Sequence, residues 1–337
     1  MTKYKVNNAY GIFFMLLNTF SLALLYAVSK QVTQTMPSTQ VVFFYKIIVF
    51  IMAMPWMFRI GISVFQTPQL KLHIIRGFLS ICGSMFFVYG LKHAGLTSST
   101  ALGYLEQVLW VIIGVTYFKE KMTGTKIIAI MISIVGAVLI VSPKLFKGIY
   151  NWVETGTWSN EASSFNYYYI YIICGILFWA ANSTVIKVLG RTAKNETQVF
   201  YVMLFAMIFG APAALIKWSF VDYGFVTLPA FSGLQEVSIS SSQWIYLTIL
   251  AICYFIHVIS FFLSMRYSDM SVIAPFEYSK MVFTGFFGVI IFSEIPSIES
   301  FIGYVAIIAG GVVMAYGEYR YRQKIRKMQE IQAEAVV

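Results

Sequence analysis

The sequence predicts an all-α integral membrane protein whose ten transmembrane helices form two inverted five-helix repeats. Three observations lead to this fold class: a very apolar composition, apolar runs of spanning length along the whole chain, and similarity between the two halves. The 337 residues are 59% hydrophobic and 11% charged, with a mean hydropathy of +0.75. A soluble domain has about 25% charged residues, so this composition excludes a cytosolic enzyme. The 18% of aromatic residues excludes a disordered chain.

The apolar runs have the length of membrane-spanning helices, which need about 20 mostly apolar residues. Prolines, turn residues or clustered charges separate the runs, as at residues 36–38, 119–121 and 294–296. Between these runs, no charged segment is long enough to form a domain. This excludes a soluble domain attached to the membrane by a single transmembrane helix. The predicted spans are 10–30, 38–58, 72–91, 97–118, 125–142, 166–188, 198–218, 243–265, 271–292 and 299–319.

Two connections are longer than a turn, and the chain ends in a basic tail. Residues 144–165 carry apolar side chains at helical spacing, which predicts a periplasmic connection with a short interfacial helix. Residues 219–241 are polar and predict a surface loop. The tail, 320–337, is expected to remain in the cytoplasm and to contact anionic headgroups. The first repeat then occupies residues 1–143 and the second occupies residues 166–319.

Basic residues determine the predicted orientation. With the N-terminus inside, 17 of the 24 lysines and arginines fall in cytoplasmic segments and four fall in periplasmic loops. This asymmetry is the positive-inside pattern of multi-pass proteins. It predicts that both termini are cytoplasmic, as an even number of spans requires.

The two halves of the chain resemble each other. Shifting residues 92–140 by 174 positions superposes identical residues without a gap: Tyr104 on Tyr278, Glu120 on Glu294, and Gly136 on Gly310. Each of the two glutamates is expected to cap the following helix or to anchor a tight turn. Because five helices are an odd number, the second copy would enter the membrane inverted. Inverted repeats are common in secondary carriers, whose substrate sites lie near the bilayer midplane.

Several motifs resemble those of a known family. A helix-ending aromatic residue and glutamate precede a glycine-containing helix twice, as Phe-Lys-Glu at 118–120 and Phe-Ser-Glu at 292–294. With residues 43–46 (Phe-Phe-Tyr-Lys) and 274–278 (Ala-Pro-Phe-Glu-Tyr), they resemble EamA-type members of the drug/metabolite transporter superfamily. The last motif is similar to that of the S-adenosylmethionine carriers. The resemblance implies a ten-helix secondary carrier in a bacterial inner membrane. The sequence departs from the family near Gln107, where a proline is frequent.

Four ionisable residues lie well inside predicted spans: Lys46, Glu106, Glu277 and Lys280. A charge at the membrane midplane costs about 2.5 to 3.5 kcal/mol on insertion scales, so each is expected to face a partner or a wet cavity. One interpretation is that they line the transport path, where two acids and two bases suit a zwitterionic metabolite. The alternative is that they form structural ion pairs, Glu277 with Lys280 and Glu106 with Lys46.

Five further residues are weaker candidates for substrate contact. Aromatic rings stack on planar or cationic groups, and an amide can hydrogen-bond a substrate. Ordinary helix packing or an interhelical hydrogen bond is the alternative for each of them. These residues are Tyr104, Trp110, Trp179, Asn182 and Tyr278.

The leading functional hypothesis is a secondary active transporter that moves an amino acid or an amino-acid-derived, zwitterionic metabolite by alternating access. Uptake of S-adenosylmethionine or a nucleotide-like cofactor by exchange is the alternative. The sequence has no phosphate loop that would make ATP the direct driver. A membrane enzyme is disfavoured because there is no nucleophile elbow and no HExxH motif. A channel is disfavoured because two inverted repeats in one chain favour alternating access.

Neither a cofactor nor a metal is expected. The three cysteines lie inside apolar runs, so a disulfide framework or a thiolate metal site is not indicated. The net charge of +10 reflects cytoplasmic loops, so nucleic acid is not an expected partner. The expected partners are a small-molecule metabolite and the lipid bilayer, with the chain as a monomer or a homodimer.

Overall fold

The computed structural model describes residues 7–61, 65–117, 119, 122–141, 166–189, 195–222, 227–235, 237–268, 273 and 276–334. The helices are α1 (Asn8–Val32), α2 (Ser38–Ile60), α3 (Leu70–His93), α4 (Leu96–Gly103), α5 (Leu105–Thr116), α6 (Gly124–Val141), α7 (Tyr168–Leu189), α8 (Asn195–Leu215), α9 (Ser241–Tyr267), α10 (Ser279–Phe292) and α11 (Ile298–Glu334). A two-stranded antiparallel hairpin, β1 (Ile216–Asp222) and β2 (Thr227–Leu234), lies between α8 and α9.

The described part of the chain is helical and apolar enough to span a membrane repeatedly. Nine segments have the length and hydropathy of a membrane span, with α4 and α5 together forming one of them. Helix α10 is a further, shorter apolar helix of 14 residues. It represents the predicted span 271–292, of which residues 271, 272, 274 and 275 lie outside the described part. The prediction of a multi-pass helical membrane protein is confirmed at this level.

Two parts of the fold differ from the sequence prediction. Residues 219–241, predicted as a surface loop, contain most of the hairpin, whose register pairs Ile216 with Leu234. Isoleucine, tryptophan and phenylalanine at alternate positions of β1 favour a strand. The last helix continues past the predicted end at residue 319 to Glu334, because the tail is rich in helix-favouring Lys, Arg, Gln and Glu. The predicted interfacial helix within 144–165 lies outside the described residues.

The chain folds into two compact units, each built from both halves of the sequence. Unit 1 comprises Met1–Phe20, Thr97–Tyr167 and Val258–Val337. Unit 2 comprises Ser21–Leu96 and Tyr168–His257. Each unit therefore combines helices that are distant in the sequence.

In unit 1, α6 and α11 pack closely along a row of small residues. A Cβ atom on Gly136 would lie 2.7 Å from the carbonyl oxygen of Gly303, and a Cβ on Gly303 would lie 2.7 Å from that of Gly136. A Cβ on Gly310 would lie 2.9 Å from the carbonyl oxygen of Ala129. The 174-residue shift relates Ala129 to Gly303 and Gly136 to Gly310, so the contacts are reciprocal. The glycines let the two backbones approach each other.

In unit 2, α3 packs against α2, α7 and α8. Side chains of the neighbouring helices pack directly against glycines of α3. A Cβ on Gly83 would lie 2.5 Å from Cδ1 of Trp179, and a Cβ on Gly77 would overlap Cβ of Phe205. Phe87 adds a ring contact to Trp179, with centroids 4.8 Å apart. The aromatic side chains thus fill notches that only glycine leaves open.

Helix α10 ends in a tight turn at Ser293. Ser293 is in the left-handed conformation, with φ 54° and ψ 30°. Its N–H donates to the carbonyl of Val289 (3.1 Å), and the N–H of Glu294 donates to the carbonyl of Gly288 (3.0 Å). Lys119, the equivalent of Ser293 under the 174-residue shift, has a φ of 55°. Among the described residues, these two are the non-glycine residues with positive φ.

Helix α11 has its own cap. The Oγ of Ser297 accepts a hydrogen bond from the N–H of Ser300 (3.2 Å), the contact of an N-terminal capping serine. The backbone of Glu294 belongs to the turn, and Ser297 caps the next helix. The role expected for the Glu294 carboxylate stays a prediction. Glu120 lies outside the described residues.

Replacing Ser293 with glycine is expected to stabilise the protein by about 1 kcal/mol, since a side chain disfavours the left-handed conformation. Ser293→Val is expected to destabilise it by at least as much, because a β-branched residue is strained at positive φ. The apparent melting temperature of the purified variants in detergent tests both. A Ser293→Gly protein less stable than wild type would contradict the strain argument.

Candidate functional site

The candidate site in unit 1 is built on two equivalent tyrosines, each beside an interruption of a helix. Tyr104 separates α4 from α5, with φ −69° and ψ −14°. Tyr278 precedes α10 with nearly the same conformation, φ −68° and ψ −15°. The N–H of Gln107 donates to the carbonyl of Tyr104, and the N–H of Met281 donates to that of Tyr278, both at 3.1 Å. These i to i+3 bonds form a tight 3₁₀-type turn at each position, although Tyr104 has no proline beside it.

The two tyrosines tie the interruptions together. Their ring centroids lie 5.0 Å apart at an interplanar angle of 43°. The hydroxyl of Tyr104 donates to the carbonyl oxygen of Glu277 at 3.2 Å. The hydroxyl of Tyr278 donates to Oε1 of Gln107 at 3.0 Å. Because each hydroxyl bonds to the opposite chain segment, the two interrupted helices are held to each other.

Lys280 is the buried cation of this cluster. Its side chain is 8% exposed, and its Nζ lies 4.6 Å from the centroid of the Tyr104 ring, a cation–π distance. Lys280 also interacts electrostatically with Glu277 and Glu106. The structure thus brings together three of the four charges predicted inside the membrane. The three groups carry two negative charges and one positive charge when all are ionised.

Glu106 shares a face of α5 with Trp110, because the two residues are four positions apart. Glu106 is partly buried, whereas the indole of Trp110 is 48% exposed. On this face of α5, exposure therefore increases from Glu106 to Trp110, one turn further along the helix. An exposed aromatic ring one turn from a carboxylate offers a surface for a cationic group.

Lys46 lies in unit 2, beside a small cavity. Its side chain is 6% exposed, and its Nζ lies 5.8 Å from the centroid of the Tyr254 ring. The cavity has room for about one water molecule. Its lining consists of Lys46, Val49, Ser80, Val202, Met203, Ala206 and Tyr254.

The two weaker candidates in unit 2 occupy different surroundings. The indole of Trp179 is engaged in packing against Gly83 and Phe87, which agrees with the packing alternative for this residue. Asn182 lies three residues further along α7, and its Oδ1 is buried without a hydrogen-bond partner among the described residues. A buried oxygen without a hydrogen-bond donor lowers the stability of the protein by about 1 to 3 kcal/mol, unless water or a ligand donates to it.

Sequence reasoning missed several residues of these sites. Gln107 accepts the hydrogen bond from Tyr278, but its equivalent in the second repeat is a methionine, so the repeat gives no signal for it. Gly311 makes room for the Tyr278 hydroxyl, since a Cβ there would lie in collision with it. Arg76, which the charge analysis places on the cytoplasmic side, is 9% exposed within α3.

A metal centre is not seen among the described residues, which contain no group of three His, Cys, Asp or Glu side chains placed to hold an ion. The functional groups of the unit 1 cluster are two carboxylates, one ammonium group and aromatic rings. These groups can bind and orient a charged organic molecule.

Comparison with known proteins identifies the family. The model of the EamA-like transporter family matches the chain twice, over residues 9–142 and 166–316. The chain belongs to the EamA-like transporter family. This confirms the resemblance to drug/metabolite transporters drawn from the motifs, and it makes the chain a member of a family that carries small metabolites across membranes.

Curated relatives of this EamA-like chain are distant but match most of its length. A riboflavin transporter of Brucella anthropi is 23% identical over 82% of the chain and 88% of its own length. An S-adenosylmethionine uptake transporter of Rickettsia bellii is 22% identical, covering 93% of the chain and 96% of the relative. The pseudopaline exporter CntI of Pseudomonas aeruginosa is 19% identical, covering 90% of the chain and 95% of the relative.

A solved crystal structure has the same fold as this EamA-like chain. It superposes with a TM-score of 0.56 and 16% sequence identity, covering 91% of this chain and 98% of the other. At this identity, the likeness describes the fold alone.

Proposed function

We propose that this EamA-like chain is a secondary carrier that moves a small amino-acid-derived or zwitterionic metabolite across a bacterial inner membrane by alternating access. The observation that carries the proposal is the cluster of Tyr104, Tyr278, Lys280 and two carboxylates at helix interruptions within membrane-spanning segments. Charged groups inside a membrane are costly, and they mark substrate or ion pathways. Interrupted helices place polar backbone beside such pathways in carriers.

We further propose that the chain consists of two inverted five-helix repeats. The two separate matches to the family model support a duplication. The reciprocal contacts of Gly136 with Gly303 and of Ala129 with Gly310 support a two-fold relation between α6 and α11, since reciprocal contacts are the property of two-fold interfaces. The equivalent turns at Tyr104 and Tyr278 support the same relation.

The charges of the unit 1 cluster favour a substrate with a cationic group. Glu106 and Glu277 outnumber Lys280, and the aromatic rings of Tyr104 and Trp110 lie beside them. S-adenosylmethionine, the substrate named for relatives in Rickettsia, has a sulfonium cation and an amino-acid group. Its uptake by exchange is therefore the second candidate function.

Counterflow into liposomes tests transport directly. Purified protein in vesicles loaded with one unlabelled compound should accumulate the same labelled compound transiently, as a saturable carrier does. The panel consists of amino acids, S-adenosylmethionine, riboflavin and nucleosides. Flux that does not saturate and shows no counterflow would instead support a channel, and chemical conversion of a compound would support an enzyme.

The proposed orientation has both termini in the cytoplasm. A reporter that is active only in the periplasm should give activity when fused after Ser159 or Gly233, and no activity after Gly190 or Val337. Activity of each fusion, normalised to its expression in the inner membrane, is the measurement. The reverse pattern would overturn the orientation.

A further inference from the structure

We propose that unit 2 contains a binding site for a small monoanion of about the size of chloride, formed by Lys46 and Tyr254, with Arg76 nearby. The cavity that Lys46 and Tyr254 line is the physical space for this group. Its lining residues lie on α2, α3, α8 and α9, and all of them belong to unit 2. The remaining lining residues are apolar, apart from Ser80.

Lys46 is a buried cation on the wall of this space, and no hydrogen bond of its ammonium group is found among the described residues. In the described part of unit 2, its polar neighbour is the ring of Tyr254, with the Nζ 5.8 Å from the ring centroid. An ammonium group has three donors, and a buried charge is costly unless it is paired and hydrogen-bonded. An anion in the adjoining cavity would supply both the acceptor and the opposite charge.

Arg76 provides a second buried cation, one helical turn from the cavity lining. Its Nη1 donates to the carbonyl oxygen and to Oε1 of Gln198, each at 3.0 Å. Its Nε is buried without a partner among the described residues. Arg76 precedes Ser80 by one helical turn, and Gln198 precedes Val202 by one turn, so this pair lies next to the cavity wall along both helices. Arg76 also interacts electrostatically with Tyr254.

Carboxylates that could neutralise these cations are scarce in this unit. The segments that form it contain three acidic residues, Glu196, Asp222 and Glu236. Glu196 lies in the first turn of α8 and Asp222 at the end of β1, whereas Glu236 lies outside the described residues. Two buried cations beside a cavity therefore give unit 2 a local positive charge, which favours an anion.

The size of the cavity selects the class of anion. Room for about one water molecule suits a monatomic anion such as chloride. It is too small for formate or any other carboxylate, which has several heavy atoms.

Thermal stability of the full-length protein in detergent tests this proposal without measuring transport. The protein is heated in sodium chloride, sodium formate or sodium gluconate at equal ionic strength, with formate and gluconate as anions too large for the cavity. Chloride at tenfold excess over its dissociation constant should raise the apparent melting temperature by about 2 °C relative to the other two salts. The shift should vanish in Lys46→Met and persist in Lys46→Arg. Lys187→Met, which removes an exposed lysine of α7 in the same unit, should behave as wild type.

A shift with chloride alone supports a site of this size. A shift with formate or gluconate would show that the site accepts a larger anion and would contradict the size argument. Equal melting temperatures in all three salts for the wild-type protein would overturn the proposal, as would a full shift in Lys46→Met. The wild-type comparison needs no variant, so it decides even if Lys46→Met does not fold. This experiment measures binding and not flux. A negative result therefore does not contradict the proposed carrier function, which counterflow tests separately.

Discussion

Replacing Glu106 with glutamine is expected to reduce driven transport about 100-fold while the protein remains folded. The change keeps the shape and hydrogen-bonding capacity of the side chain and removes its charge. A hydrogen bond to a charged group contributes about 1.5 to 3 kcal/mol, which corresponds to roughly 10- to 150-fold in binding or rate. Because Glu106 is partly exposed, its neutralisation is expected to change the melting temperature little. Counterflow and thermal unfolding are measured on the same purified protein.

Glu196→Gln is the matched control, since Glu196 lies in the first turn of α8 in unit 2, outside the cluster. It should transport at the wild-type rate. Normal transport kinetics in a stable Glu106→Gln protein would remove Glu106 from the proposed site.

Lys280→Met has a different expected result within the same cluster. It leaves the carboxylates of Glu277 and Glu106 without their buried cation, and it removes the cation–π contact to Tyr104. Breaking a buried charge cluster costs about 3 to 5 kcal/mol, so the apparent melting temperature should fall. Adding Glu277→Gln should recover part of this loss. A stable Lys280→Met protein with normal transport kinetics would exclude both the structural and the binding role.

The fold class could be predicted from the sequence because a membrane imposes one simple requirement, a run of apolar residues long enough to cross it. The hairpin at Ile216–Leu234 was not predicted, since a few alternating residues in a polar stretch give a weak signal. The interruption at Tyr104 was not predicted either. It occurs without a proline, and its partners, the carbonyl of Glu277 and the side chain of Tyr278, lie more than 170 residues away in the sequence.

The candidate site was predicted in part. Intramembrane charges are conspicuous in a sequence, so Lys46, Glu106 and Lys280 could be named as candidates. Their grouping could not be predicted, because it depends on which helices form each unit. Arg76 illustrates the limit: a basic residue near a predicted helix end has the same sequence pattern whether it lies in a loop or is buried. The contact with Gln198 distinguishes the two.

Replacing Gly311 with alanine is expected to disrupt the tyrosine pair and to destabilise the protein by about 2 to 4 kcal/mol. A Cβ on Gly311 would overlap both the hydroxyl and the Cζ of Tyr278. The ring of Tyr278 would therefore have to move, losing its hydrogen bond to Gln107 and its contact with Tyr104. The same displacement should lower counterflow, because Tyr104 and Tyr278 hold the interrupted helices together.

Two further variants make this expectation specific to the tyrosine. Gly285→Ala is the matched control in the same unit, since the nearest atoms to its Cβ belong to Thr97 at 4.0 Å. Alanine is favoured over glycine in a helix by about 1 kcal/mol, so this variant should be as stable as wild type or more stable. Tyr278→Phe removes the overlapping hydroxyl, and its combination with Gly311→Ala should be less destabilised than the sum of the single changes, by at least about 0.5 kcal/mol. Additive losses in the double variant would show that Gly311 acts through backbone packing of α11, and not through the position of Tyr278.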